Sequence, residues 1–178
     1  DGFLDALVDL QTVIVDDASP TPLRVMPRLR TTLLRHDTNR GPGTARNTGL
    51  AAVTTPLVAF VDTDVTLPPG WLEPLLTHFA DDRVALVAPR VAGAPGDSWI
   101  AGFEQRHSPL DLGDEPARIA AGTRVSYVPA AALVCRAGVV RAAASTMFFG
   151  KTATDLAEGG DALTDEIAET LREWAGHA

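Results

Sequence analysis

Short β-branched runs and helical patterns take turns along the first half of this chain. Gln11 to Val15, Thr31 to Arg35, Leu57 to Val61 and Val84 to Val87 each read as a strand bounded by turn-forming residues. Thr44 is the expected N-cap of a helix carrying Ala45, Leu50, Ala51 and Ala52. Pro68-Pro69-Gly70 leads into a second helix with Trp71, Leu72, Leu75, Leu76 and Phe79 along one face. Strands joined through helices can return parallel to one another, which hairpin loops do not allow. The alternation therefore predicts an α/β fold: a Rossmann-like, three-layer α/β/α domain with a largely parallel central sheet.

Beyond Arg90 the pattern loosens. Residues 92–122 are rich in Gly, Pro, Asp and Arg, and loops of that length are usually functional or disordered. Arg124 to Val128 and Ala131 to Cys135 read as two further strands broken at Pro129. Phe3, Leu4, Leu7 and Val8 suggest a short amphipathic helix near the start, and Leu163, Ile167, Leu171 and Trp174 mark another over Asp161 to Trp174. A length of 178 residues suits one domain with its own core. That domain is expected to span 1–178, with a first half over 1–91 and a second over 92–178 that reads as incomplete.

Charge removes several function classes. The chain carries 23 acids against 15 bases, a net charge of −8, and no cluster of Lys and Arg, so it lacks the electrostatic footprint of a nucleic-acid binder. Cys135 is the sole cysteine, which rules out an internal disulfide and is compatible with a reducing compartment; a cytoplasmic location is expected. No run of about 18 apolar residues suggests a membrane span, and no stretch reads as a secretion leader.

Two of the expected strands end in paired acids, Asp16-Asp17 and Asp62-Thr63-Asp64. Ligands of parallel α/β sheets bind outside the carboxyl ends of the strands, so both pairs are expected along one edge. Residues two apart on a strand point to the same side, so Asp62 and Asp64 are placed to share a ligand. Convergent carboxylates repel each other unless a cation or hydrogen-bond donors intervene. Oxygen-only ligation suits Mg²⁺ or Mn²⁺ bridging to a substrate phosphate. An isolated Asp-x-Asp is more often a plain turn. The apolar run before it and the second acid pair turn that balance toward a site.

The stretches "VIVDDASP", "RHDTNRGPGTARNTGLAAVTTPLVAFVDTDV" and "GWLEPLLTHF" resemble, in order and spacing, the nucleotide-sugar half of the inverting family 2 glycosyltransferases over roughly residues 11–91. The resemblance implies the GT-A fold and transfer of a sugar from a UDP-sugar to an acceptor hydroxyl with inversion. It implies that Asp17 accepts a hydrogen bond from the uracil imide N–H while Asp16 shapes that pocket. Arg46 and Asn47 then reach the base and ribose side, and Gly41 and Gly43 let the backbone pass close to the nucleotide. Asp62 faces the ribose and the metal, and Asp64 ligates the metal on the diphosphate. A narrower resemblance, carried by "HSPLDLGDEPARIAAGTRVSYVPAAALVCR", is to the mycofactocin-biosynthesis branch of that family. Members of that branch lengthen an oligoglucoside on a peptide-derived redox cofactor. UDP-glucose is therefore the implied donor, and a small-molecule or peptide-derived glycosyl acceptor the implied partner.

The chain departs from the family's pattern in two places. Members usually open on a further strand before the first helix, and this chain starts in what reads as that helix. Members also supply a catalytic base from a Glu-Asp or Asp-Asp pair, expected here after Cys135. Glu158 and Asp161 sit near that place, but Gly159-Gly160 does not reproduce the motif, and flanking a loop and capping the last helix is the better account of these acids. The second function class is therefore a nucleotide-sugar-binding module, or a degenerate glycosyltransferase, without the base. A receiver-like signalling domain needs a lysine at the end of a late strand, whereas the only lysine, Lys151, follows the last strand in a polar stretch. A nucleoside-triphosphate hydrolase is disfavoured by the absence of a Gly-rich loop ending in Lys-Ser/Thr. His36, His78, His107 and His177 lack zinc-ligand spacing. Ser98, Ser145 and Cys135 lack the setting of a catalytic nucleophile. Trp99, Phe103 and Tyr127 are suited to stacking on a sugar ring, with core or loop packing the default.

Overall fold

A computed structural model describes residues 10–24, 30–119, 124–125 and 127–144. The helices expected over Phe3 to Val8 and Asp161 to Trp174, together with Lys151, Glu158 and Asp161, lie outside the described residues. The described elements are strand β1 (Thr12–Asp16), strand β2 (Thr31–Arg35), helix α1 (Gly41–Ala52), strand β3 (Leu57–Val61), helix α2 (Glu73–Thr77), strand β4 (Leu86–Val87), helix α3 (Trp99–His107), strand β5 (Ala132–Arg136) and helix α4 (Ala137–Ala144). A 3₁₀ turn over His78–Ala80 extends α2.

The chain divides into two compact units. One comprises Leu7–Val58, Asp81–Ala85 and Cys135–Ala178; the other comprises Asp1–Ala6, Ala59–Ala80 and Leu86–Val134. In the first unit β1 and β2 pair in parallel, from Thr12 opposite Thr31 to Asp16 opposite Arg35. Backbone bonds from Thr12 N to Arg30 O and from His36 N to Asp16 O extend the ladder at both ends. Helix α1 packs on β1 and on α4. Its approach is close at Gly49, where a methyl group would meet Val15 Cγ2 at 3.4 Å. Leu50, Val58, Cys135, Ala137 and Val140 are buried in this unit because each is an apolar residue on the face turned toward a neighbouring element.

Strands β3, β5 and β4 form a three-stranded sheet in that order. Asp62 N donates to Ala131 O at one end and Ala137 N to Pro56 O at the other, so β5 runs antiparallel to β3. Strand β5, Ala-Leu-Val-Cys-Arg, is buried at its first four positions, as an uninterrupted apolar run requires when both faces of a strand are covered. In the second unit Phe60, Leu67, Phe79, Val125, Ala132, Leu133 and Val134 are buried.

Several boundaries differ from the sequence expectation. Helix α1 starts at Gly41, three residues before the expected cap at Thr44, and its N-cap Arg40 makes no side-chain capping bond. Pro42 sits in the first turn, where its missing N–H costs nothing. The Asp17 carboxylate, remote in sequence, accepts the amides of Arg40 and Gly41 instead. Trp71 and Leu72 precede α2 rather than belonging to it. The long segment after Arg90 contains a nine-residue helix, α3, whose start is set by the Ser98 hydroxyl accepting from Ala101 N at 3.1 Å. Arg124, Val125, Tyr127 and Val128 are not in a strand. Arg124 turns back to donate to Leu112 O and Glu115 O, which holds loop to loop.

Candidate functional site

The first acid pair ends β1, where Asp16 is the last strand residue and Asp17 the first beyond it. Asp16 is 2% exposed. Its Oδ1 accepts from Ser19 N at 2.9 Å, and its Oδ2 accepts from Leu23 N at 3.1 Å and from the Arg35 guanidinium. The Ser19 amide, then the Leu23 amide and Arg35, hold its carboxyl far below the ordinary value of 3.8 against the opposing effect of burial. The tight turn that brings Ser19 back requires Ala18 at φ 60°, a left-handed conformation rare for a residue with a Cβ.

Asp17 is turned toward α1. Its Oδ1 contacts His36 Nδ1 at 2.7 Å and accepts from Arg40 N at 2.9 Å, while its Oδ2 accepts from Gly41 N at 2.8 Å. The His36 hydrogen bond, then the Arg40 amide, lowers its carboxyl below 3.8. A carboxylate at the N-terminus of a helix is also favoured by the unpaired amides and the helix dipole there. His36 is buried, and its Nε2 contacts Thr48 Oγ1 at 2.9 Å. Asp17, His36 and Thr48 therefore form one hydrogen-bonded chain from the tip of β1 to the middle of α1. Arg46 and Asn47 lie on α1 beside Thr48, both half-buried rather than on an exposed first turn. Gly41 has φ +83°, so it meets a backbone demand of the helix start. Gly43 lies inside the first turn of the same helix.

The second acid pair follows β3. Asp62 is the residue after Val61, and its N–H is spent on Ala131 O at 2.9 Å. Val65 N donates to Asp62 O at 3.2 Å and closes a turn that holds Asp62 and Asp64 on one short arc. Asp62 is half-buried and Asp64 exposed. Among the described residues no group of three or more His, Cys, Asp or Glu side chains is placed to hold a metal ion. Two carboxylates on an open turn still fit Mg²⁺ or Mn²⁺. Such ions keep several waters and take the rest of their oxygen ligands from substrate phosphate.

No local spacing in the sequence singles out His36 or Thr48. The usable signal was register. Two equal parallel strands ending in Asp16 and Arg35 place the next residues, Asp17 and His36, side by side. Trp99, Phe103 and Tyr127 are 80%, 54% and 55% exposed, so of the default expectation, core or loop packing, the core half does not hold. They stand on or beside α3, where the Phe103 and His107 rings lie 4.8 Å apart and Tyr127 Oη donates to Pro109 O. Among the described residues no helix is long and apolar enough to cross a membrane.

Over 144 residues, 78% of this chain, the sequence is 47% identical to the pre-mycofactocin glycosyltransferase of Mycobacterium tuberculosis. This chain spans 31% of the length of that relative. It is 37% identical over 85 residues, 46% of this chain and 24% of the relative, to the succinoglycan biosynthesis protein ExoO of Rhizobium meliloti. A different similarity covers 24% of the chain. Over 43 residues it is 77% identical to the RecBCD enzyme subunit RecB of Mycolicibacterium smegmatis, of which those residues are 4%. The sequence model of glycosyl transferase family 2 matches residues 4–139. The chain therefore belongs to glycosyl transferase family 2, and its α/β architecture with a parallel β1–β2 pair is that of the GT-A fold.

Proposed function

We propose that this chain binds the donor in a metal-dependent, inverting glycosyltransferase that moves glucose from UDP-glucose to an acceptor hydroxyl in mycofactocin glycosylation. The observation that carries the reading is the position of the acids: one pair closes β1 and the other follows β3, within the stretch matched by the family. The 47% identity to the pre-mycofactocin glycosyltransferase supports the choice of acceptor system.

The residues divide the work by their chemistry. Asp17 accepts the uracil imide N–H, which presents one donor between two carbonyls. Asp16, held by Ser19, Leu23 and Arg35, fixes the loop that frames the base. Arg46 and Asn47 serve the base and ribose side. Asp62 faces ribose and metal, and Asp64 is a metal ligand. A divalent cation on the diphosphate would neutralise the charge that develops there as the glycosidic bond breaks. The acceptor hydroxyl then attacks the anomeric carbon from the opposite side, with a carboxylate taking its proton. Glu158 and Asp161 are the candidates for that base. The domain is taken as one GT-A unit over 1–178, with donor residues in 1–91 and acceptor residues in 92–178. The acidic charge accords with an enzyme without nucleic-acid partners, and the sole cysteine with a reducing, cytoplasmic location.

A second reading, a nucleotide-sugar-binding module without transferase activity, is favoured by one observation. The family match ends at residue 139 of 178. On this second reading Glu158 and Asp161, which lie outside the residues matched by the family, do not supply the base.

One calorimetric titration with UDP, with and without Mn²⁺, tests donor binding. Metal-dependent binding that prefers UDP over GDP, with the metal effect abolished in Asp64→Ala, is expected. Equal binding of UDP and GDP, or an unchanged metal effect in Asp64→Ala, overturns the assignment. Release of UDP from UDP-glucose in the presence of an acceptor glucoside separates the transferase from the binding module.

A further inference from the structure

We propose that His36 is the positioning residue for nucleobase recognition, holding the Asp17 carboxylate in the plane that leaves one acceptor site for the base. This rests on the reading of Asp17 as the group that accepts the uracil imide. An ionised carboxylate has about four lone-pair sites. Three N–H groups surround Asp17: His36 Nδ1 at 2.7 Å, Arg40 N at 2.9 Å and Gly41 N at 2.8 Å. The Arg40 N–H is shared between the two oxygens, lying 3.1 Å from Oδ2, so three donors serve about four sites and the side chain keeps 17% of its surface open for a fourth donor.

The tautomer follows from the partners. Asp17 can only accept, so Nδ1 of His36 carries a proton, and Nε2 meets the Thr48 hydroxyl at 2.9 Å. The imidazole is thus locked at both nitrogens, and its backbone N–H is bound to Asp16 O at 2.9 Å. With 8% of its surface exposed, His36 does not itself meet a nucleotide. Its effect passes through Asp17 on one side. On the other it passes through Thr48 to the α1 turn that carries Arg46 and Asn47.

The same order of groups, carboxylate, imidazole and hydroxyl, activates the nucleophile of serine hydrolases. Here the hydroxyl belongs to Thr48, well inside α1, where backbone amides are committed to the helix and supply no oxyanion hole. Positioning is the role this geometry supports.

Three variants at position 36 test the proposal by UDP and GDP titration in Mn²⁺, with melting temperatures measured in parallel. His36→Ala is expected to weaken UDP binding about tenfold, as loss of a hydrogen bond to a charged group does. His36→Asn places an amide N–H near Nδ1 and is expected to restore most of the affinity. His36→Gln places its amide near Nε2, keeps the Thr48 contact and is expected to bind like the alanine variant, with a reduced preference for UDP over GDP. If His36→Ala does not fold, the comparison of Asn with Gln decides. Equal affinities for the Asn and Gln variants, at whatever melting temperature, overturn the proposal. A wild-type chain without preference for UDP overturns the underlying reading of Asp17 instead, so the two failures are distinguishable.

Discussion

The Arg90 guanidinium and the Asp111 carboxylate meet edge to edge, Nε to Oδ1 at 2.8 Å and Nη2 to Oδ2 at 2.7 Å. Two parallel charged hydrogen bonds between planar groups fix orientation as well as distance. They join the two ends of the segment that contains α3, so this long excursion is closed at its base. The Gly113 amide adds a third bond, at 3.0 Å to Asp111 Oδ1. The Arg90 bond first, then that amide, lowers the Asp111 carboxyl from 3.8 to about 2.

A carboxylate whose folded value lies below its unfolded one stabilises the structure fully above the unfolded value. That contribution is lost as pH falls from 3.8 toward about 2. Amides of α3 are therefore expected to lose hydrogen-exchange protection in that window, ahead of those in β5. Asp111→Asn is expected to show about two- to fivefold faster exchange in α3 at neutral pH, the range of a partly exposed ion pair. Unchanged exchange in the variant means the pair does not close the segment.

Ala18 and Gly41 form a matched pair for testing backbone conformation. Ala18 holds φ 60° with a Cβ, and Gly41 holds φ +83° without one. Nothing lies within 4 Å of a methyl group built on Gly41, so Gly41→Ala isolates the backbone cost. Left-handed backbone costs an L-residue roughly 1–2 kcal/mol, offset in part by the smaller unfolded-state entropy of alanine. Gly41→Ala is expected to destabilise by about 1 kcal/mol in urea unfolding. Ala18→Gly is expected to be neutral or stabilising by up to about 1 kcal/mol. Opposite signs would show that the turn after β1 is strained by its own sequence.

Where the sequence was legible, local pattern and tertiary structure agreed. Leu57 to Val61 is apolar throughout and forms β3 at those residues, because a short apolar run bounded by turn residues needs little besides its own side chains. Ala131 to Cys135 was displaced by one residue for the same reason, since apolar runs define their centre better than their ends. The start of α1 was misplaced because its capping carboxylate, Asp17, lies 24 residues earlier and no local pattern reports it. Helix α3 leaves no helical signature in the sequence because Trp99, Ile100 and Phe103 are exposed, which removes the contrast between a buried and a solvent face. His36 was invisible for a different reason: its partners come from β1 and α1, and only strand register brings them together.

Leu133 sits in the centre of β5 with 2% of its surface exposed, between Ala132 and Val134 at 1% each. Removing a buried leucine side chain costs the transfer energy of the lost atoms and the cavity left behind. Leu133→Ala is expected to lower stability by about 2–5 kcal/mol, read from the urea midpoint with an unchanged slope. A cost below about 1 kcal/mol would show that β5 is not the core strand its burial indicates.

Cys135, which follows Val134 in that strand, provides an alkaline probe of β5. It is 3% exposed, and burial pushes its thiol from 9.0 up to about 12. Burial disfavours the thiolate, so the folded chain keeps the proton while the unfolded chain releases it above 9.0. The stabilisation is complete below 9.0 and declines as pH rises toward about 12, by a factor of about ten in the folding equilibrium per pH unit. Wild type and Cys135→Ala are therefore expected to show a constant stability difference up to about pH 8.5. Above that pH the wild type should fall relative to the variant, because only the wild type has a thiol to ionise on unfolding. In the same experiment iodoacetamide should label Cys135 slowly in buffer and quickly in urea, since only the open chain presents a thiolate. Rapid labelling in buffer, or parallel stability curves through pH 10.5, would place this thiol in contact with solvent and overturn the burial of β5.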